Sequence, residues 1–187
     1  MRKIILLEHV SLDGYVTDRN GGIDWILYDK ELESYVRSLL GTVDTTIYGK
    51  TTFQMMENYW PKVLQNQDSE KSEHEYADWA TKTLKVVVSK TLSHSDWANT
   101  KFINNNVVEE ITKLKQEPGG DMMVLGSPTL AGFFIQHGLI DEYRLNINPV
   151  ILGKGIPQFG DPQKKIDLKL ADVKKLKSGV VAFHYTN

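Results

Sequence analysis

The sequence predicts an α/β fold: a mostly parallel central sheet covered by helices on both faces and finished by an antiparallel C-terminal hairpin. Three observations predict it. Short apolar or β-branched runs alternate with segments of helical period through the first two thirds of the chain, the pattern of βαβ units. Several runs end in a glycine or a hydroxyl residue that opens directly into a helix. The last third changes to strand-like runs separated by short turns.

Taken in order, residues 4–10 read as a buried strand, apolar apart from Glu8 and His9. Asp13-Gly14 marks a turn after it and Asn20-Gly21-Gly22 a second flexible point. The loop between them either covers a ligand or is a plain hairpin with Asp13 as its turn residue. Residues 29–40 read as a helix with Leu32, Tyr35, Val36, Leu39 and Leu40 as its apolar stripe; Glu31 and Glu33 suit its positive end. A short β-prone run, Thr45-Thr46-Ile47-Tyr48, leads through Gly49-Lys50-Thr51-Thr52 into a helix carrying Phe53, Met56 and Tyr59. Residues 62–71 read as a loop. Ser72 with Glu75 resembles a capping box for a short helix bearing Tyr76, Trp79 and Ala80.

Residues 85–89 form the next strand, ending in Ser89-Lys90. Asn104-Asn105-Asn106 reads as a turn or short extended piece, with Asn106 capping a helix whose inner side is Val107, Val108, Ile111 and Leu114. Pro118-Gly119-Gly120 stops that helix. Residues 122–125 are a buried strand; Gly126 turns, Ser127 suits an N-cap, and Pro128 suits the first position of a helix with Leu130, Phe133 and Phe134 inside. Residues 141–151 alternate apolar and polar, with Pro149 arguing for an edge or a strand end. Residues 168–175 and 180–185 are two strands joined at Lys177-Ser178-Gly179.

The 187 residues suit one domain, 1–187, with a sizeable core. The net charge of -2 and the absence of a basic block argue against nucleic acid or an anionic membrane as partner. There is no cysteine, which excludes disulfides and thiolate metal sites and suits a reducing, cytoplasmic setting. Glu8 and His9 cut the N-terminal apolar run too short for a signal peptide, and no segment approaches the ~20 apolar residues of a membrane span. No metal site is expected: His74-Glu75 begins H-E-x-x-H, but Asp78 stands where the second histidine must be.

Three strand ends carry anion-binding chemistry. A strand passing through glycine into a helix points backbone N–H donors and the positive end of the helix dipole outward. Gly126-Ser127-Pro128 does this, and Gly49-Lys50-Thr51-Thr52 does it with a cation at hand. Ser89-Lys90 adds a hydroxyl and a second cation. Gly49-Lys50-Thr51 mimics the tail of a P-loop, but Asp44 occupies the position of the required first glycine, so a nucleoside-triphosphate loop fails. In open α/β sheets ligands sit beyond the carboxyl ends of the strands, where all three junctions fall.

With these motifs in order, the chain resembles the dihydrofolate reductase-like superfamily, in the branch that includes the C-terminal reductase domain of bacterial riboflavin biosynthesis proteins. Ser11-Leu12-Asp13-Gly14 resembles the S-L-D-G of that branch, and residues 47–53 resemble V-x-G-R-x-T-[YF]. Residues 86–90 resemble V-x-[VL]-S-[RK], and residues 126–130 resemble G-G-x-x-L. Residues 139–143 followed by 149–155 resemble L-[VI]-D-E … P-V-[LI]-L-G-x-G. The resemblance implies a sheet of about eight strands and an NADPH-dependent reductase. Its substrate would be a small nitrogen heterocycle, pterin- or dihydrofolate-like or an aminopyrimidine such as 5-amino-6-(5-phosphoribosylamino)uracil. It implies that Gly49, Lys50, Thr51 and Thr52 contact cofactor phosphates and that Ser89 and Lys90 lie at the adenosine 2′-phosphate. Gly126, Ser127, Pro128, Thr129 and Leu130 would cradle the pyrophosphate. For the substrate carboxylate it implies Glu31, with Glu33 as runner-up.

Two positions depart from the pattern. Ser127 replaces the second glycine, and Leu125 stands where the riboflavin reductases carry a substrate-binding glutamate, which counts against their phosphoribosyl substrate. These departures keep an alternative open, a dinucleotide-binding module that retained the fold and lost the chemistry. A homodimer assembled on the strand at residues 141–151 is a third expectation.

Overall fold

The computed structural model describes residues 1–160, 163 and 165–187. Eight strands form one sheet: β1 (Ile4–Ser11), β2 (Val43–Gly49), β3 (Leu84–Val88), β4 (Thr100–Ile103), β5 (Asp121–Leu125), β6 (Glu142–Asn148), β7 (Lys169–Lys175) and β8 (Val181–Thr186). Their spatial order is β4-β3-β2-β5-β1-β6-β8-β7. All neighbours from β4 to β6 pair parallel, and β8 runs antiparallel between β6 and β7.

Among the described residues five α-helices cover the sheet: α1 (Lys30–Leu39), α2 (Lys50–Gln65), α3 (Lys71–Lys82), α4 (Val107–Gln116) and α5 (Pro128–Gln136). The alternation of β1 decides the two layers. Ile4, Leu6 and Val10 pack with Ile111 and Leu114 of α4 and with Leu130 and Phe134 of α5. Ile5 and Leu7 face the other way, against Leu32 and Val36 of α1, Phe53 of α2 and Ala80 of α3. Strand periodicity thus divides one apolar run between two cores.

The chain leaves β1 in one direction with α1, α2 and α3 on one face. It returns to β5 and β6 with α4 and α5 on the other. The reversal places β5 between β2 and β1, and the carboxyl ends of these strands open into a crevice at the switch point.

Several local expectations are corrected. β4 is a strand that the sequence reading passed over; it is short, at the sheet edge, with Lys101 exposed. Helix α2 runs on to Gln65 through Pro61, where a loop was expected from residue 62, and Val63 is buried on its last turn. The capping box of α3 is Glu70 with Glu73. The expected partner Glu75 is engaged instead by Arg37, 2.7 Å away. Strand β6 is an interior strand, paired on both sides by β1 and β8. Pro149 lies just past its end.

Candidate active-site cleft

A cleft of about 1830 Å³ opens along the carboxyl edge of the sheet. All eleven residues expected to bind cofactor line it: Gly49 to Thr52, Ser89 and Lys90, and Gly126 to Leu130. Sequence-distant junctions are brought together by the parallel register of β2, β3 and β5.

Three helices begin at this cleft, α2 after Gly49, α4 after Asn106 and α5 after Ser127, and none has a side chain capping its first turn. The first-turn N–H groups therefore have no capping partner from the protein's side chains, which suits a phosphate or carboxylate from a ligand. By contrast α1 is capped by Asp29, whose carboxylate accepts from the N–H groups of Glu31 and Leu32. Lys50, at the head of α2, reaches Thr91 with its Nζ 3.1 Å from Oγ1. Lys90 is exposed on the rim.

The expected N-caps Ser127 and Asn106 do not cap. Both adopt left-handed backbone, with φ of 61° and 47°, and make no side-chain bond to their helices. Gly126 is also left-handed, at φ 55°, so the turn from β5 into α5 holds two such residues in succession. This turns the Ser127 hydroxyl back into the protein. It accepts the Gly49 N–H at 3.0 Å and donates to the Leu125 carbonyl at 3.3 Å. Ser127 thereby ties the β5–α5 turn to the β2–α2 turn. At β3, the Ser89 hydroxyl accepts from the N–H groups of Thr91 and Leu92 at 3.2 and 3.0 Å. Asn104 holds that turn in place through the Ser89 and Leu92 carbonyls.

The other half of the cleft is aromatic. Trp60 sits between Tyr59, which it meets edge-on with ring centroids 4.8 Å apart, and Tyr76, tilted against it at 4.3 Å. Met55, Met56 and Tyr28 extend this wall. Glu33 lines the cleft, paired with Arg37 at 2.8 Å. Glu31 does not line it; its carboxylate accepts the Lys177 N–H at 2.7 Å, in the turn between β7 and β8. Of the two carboxylates anticipated on α1, the cleft therefore receives the runner-up.

The residue 12–28 loop closes one side. Asp13 works as a tie: its carboxylate accepts from the N–H groups of Leu152 and Gly153, at 3.1 and 2.7 Å, and from the Ser11 hydroxyl. Thr17, Ile23, Ile26 and Tyr28 of this loop line the cleft.

Sequence reasoning passed over the floor. Glu8 and His9 line the cleft from the end of β1. Glu8 is only 7% exposed and its Oε2 has no hydrogen-bond partner. Burial pushes its carboxyl up to about 8, against a smaller downward pull from the His9 backbone. Burial pushes the His9 imidazole down to about 4, and its ring meets Tyr28 edge-on at 5.7 Å. The signal was present: two titratable residues interrupt the most apolar strand of the chain.

The model of the RibD C-terminal domain family matches residues 2–182. The chain belongs to that family. The uncharacterized protein YyaP of Bacillus subtilis (strain 168) is 38% identical over 184 residues, covering 98% of this chain and 94% of YyaP. Among solved structures, a putative riboflavin biosynthesis protein from Shewanella sp. PV-4 superposes with a TM-score of 0.76 at 20% identity, covering 100% of this chain and 98% of that one. The dihydrofolate reductase of Enterococcus faecalis, solved with NADP(H), superposes with a TM-score of 0.60 at 13% identity, covering 98% and 95%. These similarities establish a dihydrofolate reductase-like fold for this RibD-family chain. Among its described residues no helix is long and apolar enough to cross a membrane.

Proposed function

We propose that this protein is an NADPH-dependent reductase acting on a small planar nitrogen heterocycle of the pterin or aminopyrimidine type, as a single domain. The convergence of three uncapped helix N-termini on one cleft carries the reading. A dinucleotide with an extra phosphate presents several anionic groups along an extended shape, and Lys50 and Lys90 add cations beside them. Gly126 to Leu130 would hold the pyrophosphate, Gly49 to Thr52 its neighbouring oxygens, and Ser89 with Lys90 the 2′-phosphate. When bound, the reduced nicotinamide supplies the hydride; the protein holds the substrate ring and manages the proton.

The aromatic half suits a flat ring, with Trp60 and its neighbours as stacking surfaces. Glu33, the α1 carboxylate that lines the cleft, would accept hydrogen bonds from an N–C–N edge. The family's own context, and the NADP(H) present in the Enterococcus relative, favour the same reading. Titration with NADPH is the test, read by quenching of tryptophan fluorescence and by thermal shift. Saturable binding is expected; no response at millimolar cofactor refutes the proposal.

A further inference from the structure

We propose that the substrate is a heterocycle, neutral or cationic, that carries no phosphate or carboxylate tail. The inference rests on the reductase reading and narrows it. The two halves of the cleft differ in the charge they receive. Where the ends of β2, β3 and β5 meet, α2, α4 and α5 begin with no capping side chain, and Lys50 and Lys90 line the same stretch. That half draws anions.

The aromatic half, on the α1–α3 side of the sheet, closes its helix ends with the protein's own carboxylates. α1, which contributes Glu33 to the wall, starts on Asp29, whose carboxylate accepts from the N–H groups of Glu31 and Leu32. α3 starts on the capping box of Glu70 and Glu73, both of which line the cleft, and the Glu70 N–H donates to Glu73 Oε2 at 3.3 Å. An anion brought to either helix end would meet a negative charge already in place.

Among the described residues lining this half, Arg37 is the cation, and its guanidinium is engaged within the protein. Its Nη2 donates to Glu33 Oε1 and to the Ser72 carbonyl, both at 2.8 Å, and its Nη1 to Glu75 Oε2 at 2.7 Å. An anionic tail could take Arg37 only by displacing two carboxylates. The Tyr59 hydroxyl likewise donates inward, to Glu73 Oε1 at 3.0 Å. What the wall leaves for a ligand is the surface of Trp60, Tyr76, Met55 and Met56, with carboxylates at its margin. That chemistry receives a flat ring whose substituents donate hydrogen bonds or carry positive charge. Attraction selects the ring, and repulsion rejects the charged tail.

Matched pairs that share one reducible ring test this. Dihydropterin is compared with dihydrofolate, whose tail ends in carboxylates, and dihydroneopterin with its monophosphate. The readout is NADPH oxidation by the wild type at pH 7, in low and in high salt. In each pair kcat/KM should favour the member without the anionic tail by about tenfold or more, mainly through KM, and added salt should narrow the gap. Glu73→Gln removes one charge and keeps an acceptor for the capping box; it should narrow the gap about threefold by improving the charged member. Two results overturn the inference and leave the reductase reading standing. One is a wild-type ratio within threefold of unity, or in favour of the charged member, in either pair. The other is a preference that neither salt nor Glu73→Gln alters, since shape rather than charge would then select. If the wild type fails to bind NADPH, or to oxidise it with any of these compounds, the reductase reading falls and this inference with it.

Discussion

Replacing Glu8 by glutamine exchanges a buried carboxyl for a neutral amide of nearly the same shape, so its effect on stability should depend on pH in a way the structure sets. The folded-state pKa is raised, from an ordinary 4.5 to about 8. The native state therefore holds a proton that the unfolded chain has released, over the window between those two values. A group raised in this sense is fully tolerated below 4.5, and its contribution is lost as pH rises towards 8. The loss is about 1.4 kcal/mol for each pH unit, which at pH 7 amounts to about 3 kcal/mol. The glutamine variant escapes it. Its amide brings its own hydrogen-bonding cost, but that cost does not vary with pH. Urea unfolding of both proteins at pH 4.5, 6, 7 and 8 should show the stability difference shifting in favour of Glu8→Gln by about 3 kcal/mol between pH 4.5 and 7. Parallel stability curves would refute the argument, because they would mean that Glu8 ionises in the native state as readily as in the unfolded one.

Three further substitutions probe the cleft and its support. Ser127→Asp keeps an acceptor for the Gly49 N–H and a residue type that tolerates left-handed backbone, while adding a negative charge beside the pyrophosphate cradle; NADPH affinity should fall about tenfold or more by fluorescence titration, and the melting temperature should fall too, because the side chain is buried and a carboxylate cannot donate to the Leu125 carbonyl. Lys90→Ala should weaken NADPH more than NADH, and raising ionic strength should shrink the difference, since an exposed lysine acts as a screened point charge. Lys85 is fully buried and donates to the carbonyls of Ala80, Thr81 and Thr83 at 2.7, 3.1 and 2.8 Å, closing the end of α3. Lys85→Met leaves those carbonyls with fewer partners and should cost about 3 kcal/mol, seen in calorimetry as a melting temperature lower by about 10 °C.

Most of the scaffold was readable because the signals were local. Strands β1, β2, β3 and β5 are apolar or β-branched runs, and the helices between them show clear periodicity. The C-terminal turn announces itself through Gly179, whose φ is 91°. Strand β4 escaped because Thr100-Lys101-Phe102-Ile103 is too short to show a period, and only its pairing with β3 makes it a strand. The caps misled for a different reason. Ser127 and Asn106 are residue types that cap helices, but a preceding turn in left-handed backbone rotates the side chain away from the first helical N–H groups. Composition cannot report that rotation. Its consequence is functional, since it leaves the helix ends uncapped where a ligand would need them. The identity of the α1 carboxylate was also beyond the sequence. Glu31 and Glu33 both lie in the first turn, and the choice between them was made by the β7–β8 turn, which offers Lys177 to Glu31.

Glu8 and His9 illustrate how adjacent residues on a central strand divide their labour. Alternation sends Glu8 towards the α4 and α5 side and His9 towards Tyr28 on the other. Between pH 4 and 8 both are neutral, held so by burial alone. The floor of the cleft is then uncharged although two titratable groups form it, which favours a polyanionic cofactor lying across it. Above pH 8 this changes, because Glu8 ionises beside the turn that would hold the pyrophosphate. A single added charge a few ångström from a phosphate, at the effective dielectric of a partly buried site, is worth about 1.4 kcal/mol or more, about tenfold in affinity. The Kd for NADPH should therefore rise about tenfold between pH 7 and pH 9 in the wild type and stay nearly flat in Glu8→Gln. An equal rise in the variant would place the titrating group elsewhere and remove Glu8 from the floor of the cofactor site.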